Sequence, residues 1–284
     1  MRFWALGVAL GAAAVASAAL CTRRVSPAGA SGGPAALLVG LGGSRGILAE
    51  VLWYRINGLQ REGRYAELGA LTDYLVGLDP ANIEAWAYNA WNLAYNVSHD
   101  HADAEARWRW ILRAQALLER GLEANPGNPT LLRQQGWIWE HKVGGFREEA
   151  PPHDYPEENR DYRARTALLP PPTHAAALEA ALGAPADWGD PALRAVDCYL
   201  RAGAAPDALR AFRGYLLDRA PTARRALFPF LFRLYAAAEP GLNLPELQGA
   251  LALAAHLEAE APGDPALRAL RERARRTLTK ENAP

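Results

Sequence analysis

The chain has 284 residues, half of them hydrophobic and 22% charged, with 31 Lys and Arg balanced by 31 Asp and Glu. These values exclude a disordered chain and a globally basic nucleic-acid binder, and the length allows one or two domains with a sizeable core. Two cysteines, Cys21 and Cys198, exclude a disulfide framework and a multi-cysteine zinc or iron–sulfur centre.

Residues 3–21 carry no charge. As a helix they span roughly 28 Å, close to the ~30 Å hydrocarbon core of a bilayer. Two readings fit: an uncleaved membrane anchor, and a secretory signal in which Arg2 precedes the apolar run and Ala16-Ser17-Ala18 forms the cleavage site. Both predict a chain that is membrane-anchored or secreted and faces the periplasm or cell exterior. Residues 22–44 are rich in Gly, Ser, Ala and Pro, which predicts a flexible linker.

From residue 45 the pattern repeats. Gly63-Arg64-Tyr65-Ala66-Glu67-Leu68 runs to Leu78-Asp79-Pro80, and Ala114 with Leu117-Leu118-Glu119-Arg120-Gly121 runs to Asn125-Pro126. Each helical segment closes on a proline and a new one follows at once. This pattern resembles the tetratricopeptide repeat family, whose unit is 34 residues in two antiparallel helices with small residues at the crossing. The resemblance implies an all-α, right-handed helix-hairpin solenoid. It places Leu52, Ile56 and Leu59, then Leu68, Thr72 and Leu75, on packed stripes of the first unit, with Gly63 at the turn between its helices. In the second unit it places Trp86 at the aromatic core position and Ala114, Leu118 and Gly121 on the packed face.

Pro80 and Pro126 stand 46 residues apart, twelve more than one repeat, and the polar stretch Asn96–Arg107 is the expected insertion between helices. A third unit starts near Pro129. Residues 144–188 hold Pro151-Pro152 and Pro170-Pro171-Pro172 and are expected to form an irregular connection. Residues 189–284 read as degenerate helical repeats: Pro191–Gly203, Ala205–Arg219, Thr222–Ala238 and Pro245–Ala261. A polar capping helix over Asp264–Leu278 ends the series. A narrower likeness, carried by Trp86–Asn96 and by Arg107-Trp108-Arg109-Trp110, is to N-terminally anchored bacterial proteins of this class; it implies no activity.

Seven of nine tryptophans lie between Trp53 and Trp139. Most such residues fill cores. The resemblance nevertheless implies that Trp53, Asn57 and Arg61, then Trp91 and Tyr95, then Arg133, Trp137 and His141, face the groove of successive first helices. An aromatic floor with polar and cationic rims suits an extended peptide or a partner helix. Asn89, Asn92 and Asn96 form a polar stripe at helical spacing, read either as a binding stripe or as an internal network. A rival reading is a metal-dependent enzyme or metal site around His99, His101 and His141, because imidazoles near carboxylates can ligate transition metals. Against it, the His-Asp-His stretch matches no ligand motif and reads more simply as a solvated acidic loop, with Asp100 or Asp103 capping the next helix. Cys198 reads as a small core residue. No nucleophile elbow, phosphate loop or dinucleotide fingerprint occurs. The expectation is therefore a non-catalytic binding scaffold without cofactor, metal or nucleic acid, reaching the membrane only through residues 3–21 if these stay uncleaved.

Overall fold

The computed structural model describes residues 44–145 and 156–281. The predicted anchor or signal segment, the linker up to residue 43 and the Pro151-Pro152 stretch lie outside the described residues. Among the described residues every regular element is a helix, and none is long and apolar enough to cross a membrane. The chain divides into two compact units, Met1–Ala85 and Trp86–Pro284.

In the first unit, α1 (Ser44–Arg61) and α2 (Tyr65–Leu78) pack together. They are joined at Gly63, whose φ of 69° lies in the left-handed region that glycine tolerates. Leu52, Ile56 and Leu59 of α1 and Leu68, Thr72 and Leu75 of α2 are buried, the residues expected on the packed stripes. The Asn82 side chain accepts from the Ala85 N–H and caps the start of α3 (Ile83–Asn92), whose first turn holds the boundary between the units.

The second unit continues α3 into a π turn, Leu93–Val97, followed by α4 (Ala104–Ala124) and α5 (Pro129–Trp137), which ends in a second π turn, Ile138–Val143. Then come α6 (Pro156–Thr166), α7 (Ala175–Leu182), α8 (Pro191–Arg201) and α9 (Ala205–Leu217). The short α10 (Pro221–Arg224) runs through a 3₁₀ turn, Arg225–Leu227, into α11 (Phe228–Ala238). After the 3₁₀ turn Glu239–Gly241 the unit ends with α12 (Leu244–Glu260) and α13 (Pro265–Glu281). Asp103, Asn128, Asp190 and Asn243 each accept a backbone N–H at the helix they open, and Asn243 with Glu246 forms a full capping box. Trp86 is buried across Gly121, where an added Cβ would come 3.1 Å from the indole and 3.1 Å from Leu131.

Three features depart from the sequence expectation. The twelve extra residues of the second unit are not a loop. Helical structure runs on through Ser98 and His99, Val97 and Ser98 are fully buried, and only Asp100–Asp103 connect to α4. The excess lengthens the helices, and the π turn absorbs one residue of it: the Ser98 N–H bonds back five residues to the Leu93 carbonyl. Second, the connection 144–188, expected to be irregular, contains α6 and α7; the triple proline 170–172 does lie outside helices. Third, while α6, the next helix in sequence, meets the π turn of α5, α8 packs along both α5 and that turn. That approach needs Gly136, whose Cβ would sit 2.9 Å from the Tyr199 ring.

The remaining packing runs from neighbour to neighbour: α4 against α5, α8 against α9, α9 against α11, α11 against α13, and α12 against α13. Ala208 and Phe212 of α9 are fully buried. The C-terminal helix α13 buries Leu267, Leu270 and Ala274 beneath a surface of Arg and Glu, as a capping helix does.

Two variants test this packing. Gly136→Ala is expected to lose about 1–3 kcal/mol, the scale of core overpacking, because the Tyr199 ring is buried and cannot retreat. Deleting Val97-Ser98-His99 should lose on the order of 3 kcal/mol or more, while two residues inserted between Ala102 and Asp103 should change little. Thermal melts measure all three.

Candidate functional site

The two π turns lie against each other in the second unit. A π turn bonds i to i+5 and so carries one residue more than an α turn, which re-phases the side chains that follow. In α5 the consequence is a division between neighbours. Glu140 points inward and is 4% exposed, while Trp137 and His141 lie on the outer side, Trp137 at 37% exposure. Trp137 and His141 stack with centroids 4.8 Å apart and planes 9° from parallel.

From there an aromatic ladder crosses to α3. The Tyr95 hydroxyl and His141 Nδ1 are hydrogen-bonded at 3.0 Å, with ring centroids 5.7 Å apart. Tyr95 stacks on Trp91 at 5.8 Å, and Trp91 lies 5.9 Å from Tyr88. Trp91 and Tyr88 are exposed at 36% and 44%. The rungs thus run Tyr88, Trp91, Tyr95, His141, Trp137, with centroid separations inside the 4.5–7 Å range of favourable aromatic pairs. Beneath Tyr95 lies Lys142, 1% exposed, with its ammonium 5.7 Å from the ring centroid. Lys142 stands at the end of the helix, where a cation suits the helix dipole, yet its side chain is buried.

The end of the second π turn is held from α6. Asn159 donates to the Lys142 carbonyl at 3.1 Å, and Arg163 donates twice to the Gly144 carbonyl, at 3.1 and 2.6 Å. Gly145 follows at φ 66°, with its Cβ position only 2.8 Å from Asn159. These bonds satisfy helix-end carbonyls that would otherwise be orphaned.

On the inner side, Glu140 accepts from Arg210 Nε at 3.2 Å, from Arg210 Nη2 at 3.0 Å and from the Tyr199 hydroxyl at 2.7 Å. Arg210 Nη1 donates to Asp207 at 2.8 Å, and Arg133 reaches the other Asp207 oxygen at 2.9 Å. Burial pushes the Glu140 carboxyl up, opposed by the guanidinium, and burial with the adjacent carboxylate pushes the Tyr199 phenol strongly up.

Of the residues expected to form the groove, Trp91, Tyr95, Trp137 and His141 converge on the ladder, and Arg133 lies one helical turn before Trp137, paired with Asp207. Trp53, Asn57 and Arg61 belong to the first unit. There Trp53 is half-buried, Asn57 and Arg61 are exposed, and Arg61 Nε donates to the Asn57 carbonyl at 3.3 Å. Tyr88, Lys142 and the buried Glu140 network were missed; Tyr88, one turn before Trp91 on the same helix, was legible from spacing alone.

The other candidates resolve locally. Asn89 and Asn92 are buried, and Asn96 donates to Asn92 at 2.8 Å, so the amide stripe is internal. His101 places Nδ1 2.8 Å from the Val97 carbonyl and accepts from Trp110 Nε1 on Nε2 at 3.2 Å, which fixes the proton on Nδ1 and occupies both nitrogens. His99 is exposed, and His141 is engaged with Tyr95. The structure therefore does not bring His99, His101 and His141 together, and among the described residues no group of three or more His, Cys, Asp or Glu is placed to hold a metal ion. Asp103 caps α4 through the Ala106 N–H at 2.8 Å, and that bond lowers its carboxyl pKa. Cys198 is buried beside Gln135, its thiol pushed up by burial.

No family model, curated protein or solved structure matches the chain.

The core and the ladder separate in a pair of variants. Trp86→Ala should cost about 3–5 kcal/mol in thermal or urea melts, as truncation of a buried indole does. Trp91→Ala, on the half-exposed ladder, should cost less than half as much. Equal losses would place Trp91 in the core.

Proposed function

We propose that this chain is a non-catalytic binding scaffold of the cell envelope, a helix-hairpin solenoid of tetratricopeptide type carried on an N-terminal anchor or exported by a cleaved signal. Its partner is a protein segment or extended peptide laid across the aromatic ladder. The observation that carries this reading is the pair of half-exposed tryptophans, Trp91 and Trp137, joined through Tyr95 and His141 into one surface. Central aromatic anchors dominate binding energy, whereas isolated exposed aromatics need no explanation. The rungs are held by the Tyr95–His141 bond and by stacking, so little side-chain entropy is lost on docking. Arg133 supplies a cationic rim, its guanidinium oriented by Asp207.

The test is site-directed photo-crosslinking from position 88 in cells that produce the full chain. A specific partner should be captured and then lost when Trp91→Ala and Trp137→Ala are combined, in a variant whose melt stays close to that of the parent. A partner captured equally by the double variant would overturn the assignment of the ladder.

A further inference from the structure

Far along the second unit, α9, α11, α12 and α13 enclose a cleft of about 540 Å³, open solvent at its mouth included. Its walls are aliphatic: Leu209, Leu231, Leu242, Leu253 and Leu270. The 3₁₀ turn Glu239–Gly241 comes close to Pro206, a lining residue: an added Cβ on Gly241 would meet it at 3.1 Å.

The charges around the cleft are unequal in their commitments. Arg210 is spent on Glu140 and Asp207. Glu246 accepts from the Asn243 N–H at 2.7 Å in the capping box of α12. Arg213 is exposed, and no hydrogen bond or ion pair engages it among the described residues. It reaches across to α12 at the glycine that leaves it room, with Nη1 3.5 Å from where a Gly249 Cβ would stand. An uncommitted guanidinium at the mouth of an apolar cleft complements a carboxylate on an apolar tail, because its planar fork binds both oxygens.

Tyr235 lines the same cleft and is fully buried. Both oxygens of the neighbouring Glu239 carboxylate accept from Arg273 and Thr277, and the phenol makes no hydrogen bond of ordinary length. Burial and that carboxylate push the phenol up to about 12, so it remains an O–H donor.

We propose that this cleft binds a medium-chain carboxylic acid, its alkyl tail among the leucines and its carboxylate on Arg213. The site is separate from the aromatic ladder and independent of what that surface binds. Decanoate is the probe, titrated below its micellar range into the full chain by calorimetry and thermal shift. Saturable binding at one per chain with a rise in melting temperature is expected, with decylamine and a leucine-terminated peptide failing to bind. Arg213→Glu, on the surface, should weaken decanoate at least tenfold with the unliganded melt unchanged. Ala250→Phe, which fills the cleft, should abolish binding while Trp91→Ala leaves it intact. Equal binding of decylamine, binding of the peptide but not decanoate, or indifference to both Arg213→Glu and Ala250→Phe would each overturn the proposal.

Discussion

A carboxylate taken out of water must be met by a cation and by donors on its remaining lone pairs, or it destabilises the fold by several kcal/mol. Glu140 is such a group, and its partners decide the architecture of the second unit. Arg210 of α9 meets both of its oxygens and Tyr199 of α8 adds an O–H. The second π turn and two consecutive helices, α8 and α9, that lie 59 and 70 residues further on at their contacts are thereby fixed at one point. Removing one partner of a buried pair typically costs about 3–5 kcal/mol, because the other charge is left unmet. The same contact explains why α8 can pass so close to α5: the Tyr199 ring that donates to Glu140 lies over Gly136, where no side chain fits.

With Glu140 held inward, the outer side of the second π turn is free to carry Trp137 and His141. The first π turn, in α3, supplies Tyr95 opposite them, and the Tyr95–His141 bond ties the two turns together. π turns recur at functional sites because the added residue moves side chains to positions a regular helix cannot offer. Here the backbone cost of each turn is met by specific bonds. The Ser98 hydroxyl donates to the Ala94 carbonyl after the first, and Asn159 and Arg163 satisfy carbonyls after the second. The ladder thus depends on α6, a helix lying in a segment whose prolines made it read as irregular.

The arginine excess, 29 of 31 cations, reads in the sequence as composition, yet the structure uses the guanidinium fork repeatedly. Arg194 is buried and donates to the carbonyls of Trp188, Pro170 and Leu169 at 2.7, 2.9 and 3.3 Å, and burial lowers its pKa. It thereby ties the triple proline to α8. Arg224 bonds both Glu260 oxygens at 2.7 and 2.8 Å while donating to the Leu216 and Leu217 carbonyls. A lysine ammonium could not span such planar, divergent acceptors. Lys142, one of two lysines in the sequence, is placed instead against the Tyr95 ring, where a point charge suffices.

The sequence by itself determined the helical class and most of the register. Apolar residues at three- and four-residue spacing, glycine at the turn near Gly63 and prolines at helix starts act locally, so Leu52, Ile56 and Leu59 and the buried Trp86 with Gly121 were legible without any partner in view. Four rungs of the ladder were legible too, because the repeat resemblance places Trp91, Tyr95, Trp137 and His141 on first helices at matching positions. What only the tertiary structure decided depends on contacts distant in sequence. The polar stretch Asn96–Arg107 reads as a loop, yet Val97 and Ser98 become helical and buried once the π turn absorbs a residue and the helices on either side lengthen. Glu140 is a charged residue next to His141, with nothing local to mark it as buried. Its inward turn follows from an arginine 70 residues further on and a tyrosine 59 residues further on, and no local periodicity encodes where those will lie. The helix α8 takes its place beside α5 because Gly136 leaves room for Tyr199, and that complementarity exists only when both surfaces are folded.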